Sequence, residues 1–105
     1  MSDRIEKLLA YLRESPEDNF LQHALALEYV KAGKDVEARK IFESVLTRSP
    51  GYTGSYYHLA KLLERSGETE LALEWYEKGM EAAKTAGDQH TYNELRAARE
   101  DLCDF

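Results

Sequence analysis

Positive charge is scarce in this chain of 105 residues, which sets 14 lysines and arginines against 20 acids for a net charge of −6. A protein that grips phosphates needs a basic stripe to displace counterions. Here the cations are interleaved with acids, as in Glu37-Ala38-Arg39-Lys40, the pattern of a solvated helix face. No nucleic-acid partner is expected. Cysteine is nearly absent: Cys103 stands alone, which excludes an intramolecular disulfide and fits a reducing, cytoplasmic setting. Cys103 also lies third from the end, one place off a prenylation box, so no lipid anchor is expected. Two prolines and six glycines leave long helices permitted almost everywhere. Long hydrophobic runs are missing too. The longest is Leu8-Leu9-Ala10-Tyr11-Leu12, against the roughly 20 residues a bilayer requires. Met1-Ser2-Asp3-Arg4 leads straight into an amphipathic pattern with no signal-peptide core. No membrane association is expected.

What the chain does contain is a repeat. Sliding Asn19–Tyr52 forward by 34 positions places Gly33 on Gly67, Ala38 on Ala72 and Phe42 on Tyr76. The same step carries Leu25 to Leu59, Ala26 to Ala60 and Leu46 to Met80, and backward it carries Pro50 to Pro16 and Leu46 to Leu12. A fixed period of this size signals stacked supersecondary units.

The elements follow in order. Asp3 and Glu6 form a capping box, and Ile5, Leu8, Leu9 and Leu12 recur at helical spacing to give one apolar stripe. That helix stops near Glu14, since the residue before Pro16 is pushed out of helical angles. Ser15 as N-cap and Pro16 at the first helical position are expected to open the second helix, with Leu21, Ala24, Leu25, Ala26 and Tyr29 inward and a left-handed Gly33 closing it. A third helix is predicted over 35–48, with Ala38, Ile41, Phe42, Val45 and Leu46 buried. Tyr56, Leu59, Ala60, Leu62 and Leu63 define a fourth, closed by Ser66-Gly67. Thr69 is expected to cap a fifth, carrying Leu71, Ala72, Leu73, Trp75, Tyr76 and Met80 to about Thr85. Gly87-Asp88 then turns and caps a last helix over 89–104, with Tyr92, Leu95, Ala98 and Leu102 on one side. No segment alternates with period two, so the expected class is all-α.

The first copy reads Gln22-x-x-Leu25-Ala26-x-x-Tyr29, Ala38-x-x-x-Phe42, Pro50; the second reads Tyr56-x-x-Leu59-Ala60-x-x-Leu63, Ala72-x-x-x-Tyr76. This pattern resembles the tetratricopeptide repeat, including small bacterial proteins built from it. The resemblance implies a right-handed α-solenoid of antiparallel helix pairs, about six helices, with two full repeats flanked by half-repeat or capping helices. Its expected organisation is a single domain: an N-terminal helix over 3–15, repeat one over 19–52, repeat two over 53–87 and a capping helix over 88–105. In the second copy Lys84 stands where Pro50 stood, so that helix is expected to run on.

The resemblance also places a concave groove along the first helix of each unit. Carried onto this chain, the groove positions are Phe20, His23, Ala24, Leu27, Val30 and Lys31, then Tyr57, His58, Lys61, Glu64 and Arg65, then His90, Asn93, Glu94 and Ala97. Phe20, Leu27 and Val30 are not needed for the core stripe. An apolar strip rimmed by Lys31, Lys61 and Arg65 suits an extended peptide or a partner helix. The alternative is that the first helix or a neighbouring molecule covers part of it. The Lys and Asn pair with which some family members grip a terminal carboxylate is missing, and Glu94 would repel one.

His23, His58 and His90 fall on groove positions of three successive helices, which raises a metal site or a pH-sensitive groove. Helix axes about 8–10 Å apart keep three imidazoles from meeting one ion easily, so solvated or peptide-contacting histidines are expected, with no metal and no cofactor. Cys103 and His90 could be read as nucleophile and base, yet no third group orients them. There is no phosphate loop and no CxxC. The expected function is a non-catalytic interaction scaffold that binds a protein or peptide in its groove. The competing expectation is self-association, as a homodimer or larger oligomer through the terminal helices or the groove.

Overall fold

A computed structural model describes residues 3–103, and over that span the backbone is helix and short turns with no strand. The helices among the described residues are α1 (Asp3–Glu14), α2 (Asn19–Lys31), α3 (Asp35–Arg48), α4 (Gly54–Arg65), α5 (Thr69–Ala86) and α6 (Gln89–Cys103). The all-α class expected from the sequence is observed. The chain gathers into two compact units, one ending at Ser49 and the other beginning at Pro50. Asp104, the expected last residue of α6, lies outside the described residues, as do the residues ahead of Asp3.

In the first unit α1 packs on α2 and α2 on α3. Ile5, Leu8 and Leu25 form a buried cluster against which Leu12, Leu21, Ala24, Tyr29 and Ile41 pack. On α3, Ala38, Phe42, Val45 and Leu46 are buried as the periodicity required. Leu9 departs from its expected place in the stripe of α1, being 36% exposed. The packing of α1 on α2 uses a narrow line (Ile5, Leu8, Leu12), and Leu9 lies about 100° round the helix from Leu8.

The start of α2 also differs from the expectation. Ser15 does not cap it: the Ser15 amide donates to Tyr11 O at 3.1 Å and so completes the last turn of α1. Asp18 N then donates to Ser15 O at 3.2 Å, closing a tight turn with Pro16 at its second position, where a fixed φ is useful. The cap is Asp18, whose carboxylate accepts from Leu21 N at 3.0 Å. A serine that is committed to the preceding helix has no freedom to open the next one.

Gly33 (φ 76°) and Gly67 (φ 82°) end α2 and α4 in the left-handed conformation. There Lys34 N donates to Tyr29 O at 2.8 Å and Glu68 N to Leu63 O at 2.9 Å, satisfying carbonyls that the helix ends would otherwise leave bare. The second of these closures explains why Thr69 is not a cap. The chain leaves it directly into α5, whose first residue is Thr69, and Glu68 in the capping position makes no side-chain cap bond. Its carboxylate instead accepts from Ser66 Oγ at 2.8 Å.

In the second unit α5 lies between α4 and α6 in the contact order, packing on both. Tyr56, Leu59, Ala60, Leu62 and Leu63 of α4 are buried, as are Leu95 and Ala98 of α6. Burying each large side chain contributes about 1.5–3 kcal/mol. On α5 the fully inward line is Ala72, Tyr76, Gly79 and Ala83, while Leu71, Leu73, Trp75 and Met80 are only half-buried. Gly79 marks the tightest approach. A Cβ there would lie 2.7 Å from Tyr56 Cβ on one side and 2.9 Å from Leu95 Cδ1 on the other. Asp88 caps α6 through Thr91 N at 3.1 Å, following Gly87 as expected.

Candidate functional site

The side chains expected to face a partner fall on α2 in the first unit and on α4 and α6 in the second. On α2, Phe20 is 69% exposed, Leu27, Val30 and His23 are half-buried, and Lys31 is exposed. The helix start that carries Phe20 is fixed from below. Arg48, in the last turn of α3, donates to Asn19 Oδ1 at 2.7 Å and Gln22 Oε1 at 3.1 Å, and Asn19 Nδ2 donates to Ser49 Oγ at 2.8 Å. Arg48 was not singled out in the sequence. Its signal is a cation at the end of one helix, with amides at the start of the helix paired to it.

His23 is not simply solvated: its ring meets the buried Phe42 edge-on, with centroids 5.6 Å apart. Lys31 has spent its charge locally. The Glu28 carboxylate, on a side chain only 11% exposed, accepts from Lys31 at 3.4 Å and from Arg4 of α1 at 3.1 Å. The face of α2 is therefore chiefly apolar and aromatic.

On α4 the residues form a connected line. The rings of Tyr57 and His58 stand at 88° with centroids 5.5 Å apart. The Lys61 ammonium lies 5.5 Å over the Tyr57 ring and 3.5 Å from the Glu64 carboxylate. That carboxylate also accepts a hydrogen bond from the hydroxyl of the fully buried Tyr76 on α5. Burial first, and then the bond to Glu64, pushes the Tyr76 hydroxyl far above its ordinary range, so it stays a donor. Burial holds the His58 imidazole below its ordinary value, partly offset by Glu94 of α6. Arg65 is exposed at the end of α4.

On α6, His90 is 89% exposed and pairs with Glu94 at 3.7 Å, while Asn93 accepts from Gln89 at 2.9 Å. Among the described residues no group of three metal-ligating side chains could hold an ion. Cys103 is an exposed free thiol in the last turn of α6, about 20 Å along the helix from His90, so the two cannot act as nucleophile and base. A hollow of about 300 Å³ at the α5–α6 turn is lined by Ala83, Lys84, Gly87, Asp88, Gln89 and Tyr92, none of them a residue expected to face a partner. What these faces offer is aromatic rings, locally paired charges and a few donors.

Helices paired through small residues at a step of 34 also characterise known proteins. The profile of the tetratricopeptide repeat matches residues 29–98. The solution structure of a tetratricopeptide repeat domain protein from Salinibacter ruber superposes with a TM-score of 0.80 at 39% identity, over 83% of this chain and 88% of that one. A solution structure of a protein from Bordetella parapertussis gives a TM-score of 0.84 at 26% identity, over 98% of this chain and 90% of that one. A curated human protein, IFIT1 homolog B, is 28% identical over 79 residues, and the chain spans 17% of its length. Among the described residues no helix is long and apolar enough to cross a membrane. With the repeat phase, the left-handed glycines and the buried alanines all in place, the chain belongs to the tetratricopeptide repeat family, whose domains serve in general as protein–protein interaction modules.

Proposed function

We propose that the chain is a non-catalytic interaction scaffold that binds a peptide segment or partner helix on the exposed faces of its α2, α4 and α6 helices. The observation that carries this reading is Phe20, a large apolar side chain left 69% exposed on a helix start that the Arg48 network holds rigid. Leaving such a ring in water forgoes burial free energy that a partner can supply. Leu27 and Val30 on α2, and Tyr57 and Lys61 on α4, extend the surface in each unit. Tyrosine suits such a surface because it offers large contact area with few torsions to freeze. His90 and Asn93 of α6 would add polar contacts to the surface of the second unit.

Panning a peptide display library against the purified protein tests this. Selected peptides should bind with at least a tenfold loss when Leu27→Glu or Tyr57→Glu is introduced, while both variants keep the parent melting point. Peptides that bind those folded variants as tightly as the parent would remove these faces from the function. Sedimentation over a wide concentration range settles whether a second copy of the chain occupies the same faces.

A further inference from the structure

We propose that Tyr76 is a positioning residue for the α4 face: its buried hydroxyl fixes the Glu64 carboxylate, and Glu64 in turn holds the Lys61 ammonium over the Tyr57 ring. The inference rests on the reading that α4 is a binding face.

The geometry is a chain of three contacts running from core to surface. Tyr76 is fully buried on α5, and its O–H donates to Glu64. Glu64 lies one helical turn from Lys61 and receives its ammonium at 3.5 Å. Lys61 sits 5.5 Å over the centroid of Tyr57, a further turn back. A lysine side chain on a surface normally samples many rotamers. Here one end of the ammonium faces a carboxylate that is itself pinned, and the other faces a ring. The result is a cation presented in one place, with N–H groups remaining for a partner.

The first copy of the repeat provides an internal comparison. Stepping back by 34 residues, Tyr76 becomes Phe42, Glu64 becomes Val30, Lys61 becomes Leu27 and Tyr57 becomes His23. The hydroxyl is absent in the copy that has no carboxylate to hold and present in the copy that has one. Three of the four positions change from apolar to polar residues together (Phe42, Val30 and Leu27 to Tyr76, Glu64 and Lys61), and the fourth exchanges the His23 ring for that of Tyr57. Packing alone does not call for the change, because Phe42 is as completely buried as Tyr76. The oxygen of Tyr76 therefore serves the α4 surface.

The test is proton NMR of the unliganded protein. The Lys61 Hε protons should carry an upfield ring-current shift from Tyr57, measured against exposed Lys84. In Tyr76→Phe that shift should fall by at least half. The Lys78 shift, which comes from Trp75 at 4.5 Å and owes nothing to the Tyr76 hydroxyl, should stay unchanged and report that the fold is intact. A folded Tyr76→Phe that keeps the Lys61 shift overturns the proposal. Should that variant fail to fold, the unaltered protein decides: the Tyr76 hydroxyl proton must be protected from exchange and show an NOE to Glu64 Hγ, and its absence overturns the proposal equally. No partner enters either experiment, so failure here removes the positioning role and leaves the peptide-face reading to its own test.

Discussion

Replacing Gly79 by alanine pits two effects of opposite sign against each other. A glycine inside an exposed helix costs about 1 kcal/mol relative to alanine, so on propensity alone Gly79→Ala should stabilise α5. The structure predicts the reverse. The new Cβ would sit 2.7 Å from Tyr56 Cβ, 2.8 Å from Tyr56 Cγ and 2.9 Å from Leu95 Cδ1, whereas ordinary contact begins at 3.4 Å. Reaching 3.4 Å from 2.7 Å demands a shift of 0.7 Å at Tyr56 Cβ, an atom bonded directly to the backbone of α4. Tyr56 cannot easily yield, since its hydroxyl is held by Pro50 O at 2.6 Å and its ring lies against Trp75 at 6.0 Å. Overpacking costs about 1–3 kcal/mol, and a clash with an atom tied to the backbone belongs in the upper part of that range, about 2–3 kcal/mol, so after the propensity gain of about 1 kcal/mol a net loss of about 1–2 kcal/mol remains. For a domain near this size that corresponds to a fall in melting temperature of about 4–16 °C. Trp75 is the only tryptophan and lies in the second unit, so its fluorescence follows the affected helices directly. Gly54→Ala is the control: it opens α4, nothing lies within 4 Å of its Cβ, and it should melt within about 2 °C of the parent. A Gly79→Ala variant that melts at or above the parent would refute the close crossing of α4, α5 and α6.

Further outcomes follow from other contacts. Ala60 is fully buried, so Ala60→Leu should cost about 1–3 kcal/mol by calorimetry, and an unchanged melting point would contradict the repeat phase. Asp18→Ala should lose about 0.5–2 kcal/mol and speed amide exchange at Leu21, whereas Ser15→Ala should be nearly silent; the opposite ranking would restore Ser15 as the cap. Its hydrogen bonds with Thr91 hold the Asp88 carboxyl below its ordinary value. A depressed folded value means that its stabilisation is present above the unfolded value and lost as pH falls through the folded one. The acid limb of a stability profile, below about pH 4, should therefore be shallower in Asp88→Asn. The Tyr76 hydroxyl is raised, so its contribution is complete at neutral pH and declines above pH 10, where the unfolded tyrosine ionises. Stability of Tyr76→Phe should fall less steeply in that alkaline range than that of the parent, read by urea unfolding.

Much of the fold was legible because the repeat writes its constraints twice. Gly33 and Gly67 announce left-handed helix ends, and Ala26, Ala38, Ala60 and Ala72 announce the places where helices touch; all four alanines are fully buried. What escaped the sequence were choices between neighbours that local rules rate equally. Ser15 and Asp18 are both good caps, and only the bond of the Ser15 amide to Tyr11 decides between them. Leu9 fits a helical period as well as Leu8 does, but the packing of α1 on α2 uses only one line of contacts. Gly79 reads as a weak spot in a helix until the tyrosine pressed against it is known. On the candidate faces, the sequence indicated which residues lie outside the core, but not how they pair. The bond from Tyr76 to Glu64 links residues 12 apart on different helices, and the Arg48 network links residues nearly 30 apart. Such pairings depend on helix rotation that no local pattern records.

The central claim, that Phe20 is exposed for a partner and not for the fold, is tested most directly by Phe20→Glu. Its melting temperature and the affinity of a display-selected peptide should be measured side by side on the same sample. The account predicts a melting point within about 2 °C of the parent, as for other surface substitutions, and affinity reduced at least tenfold. A variant that unfolds, or one that stays folded and binds the peptide undiminished, would contradict it.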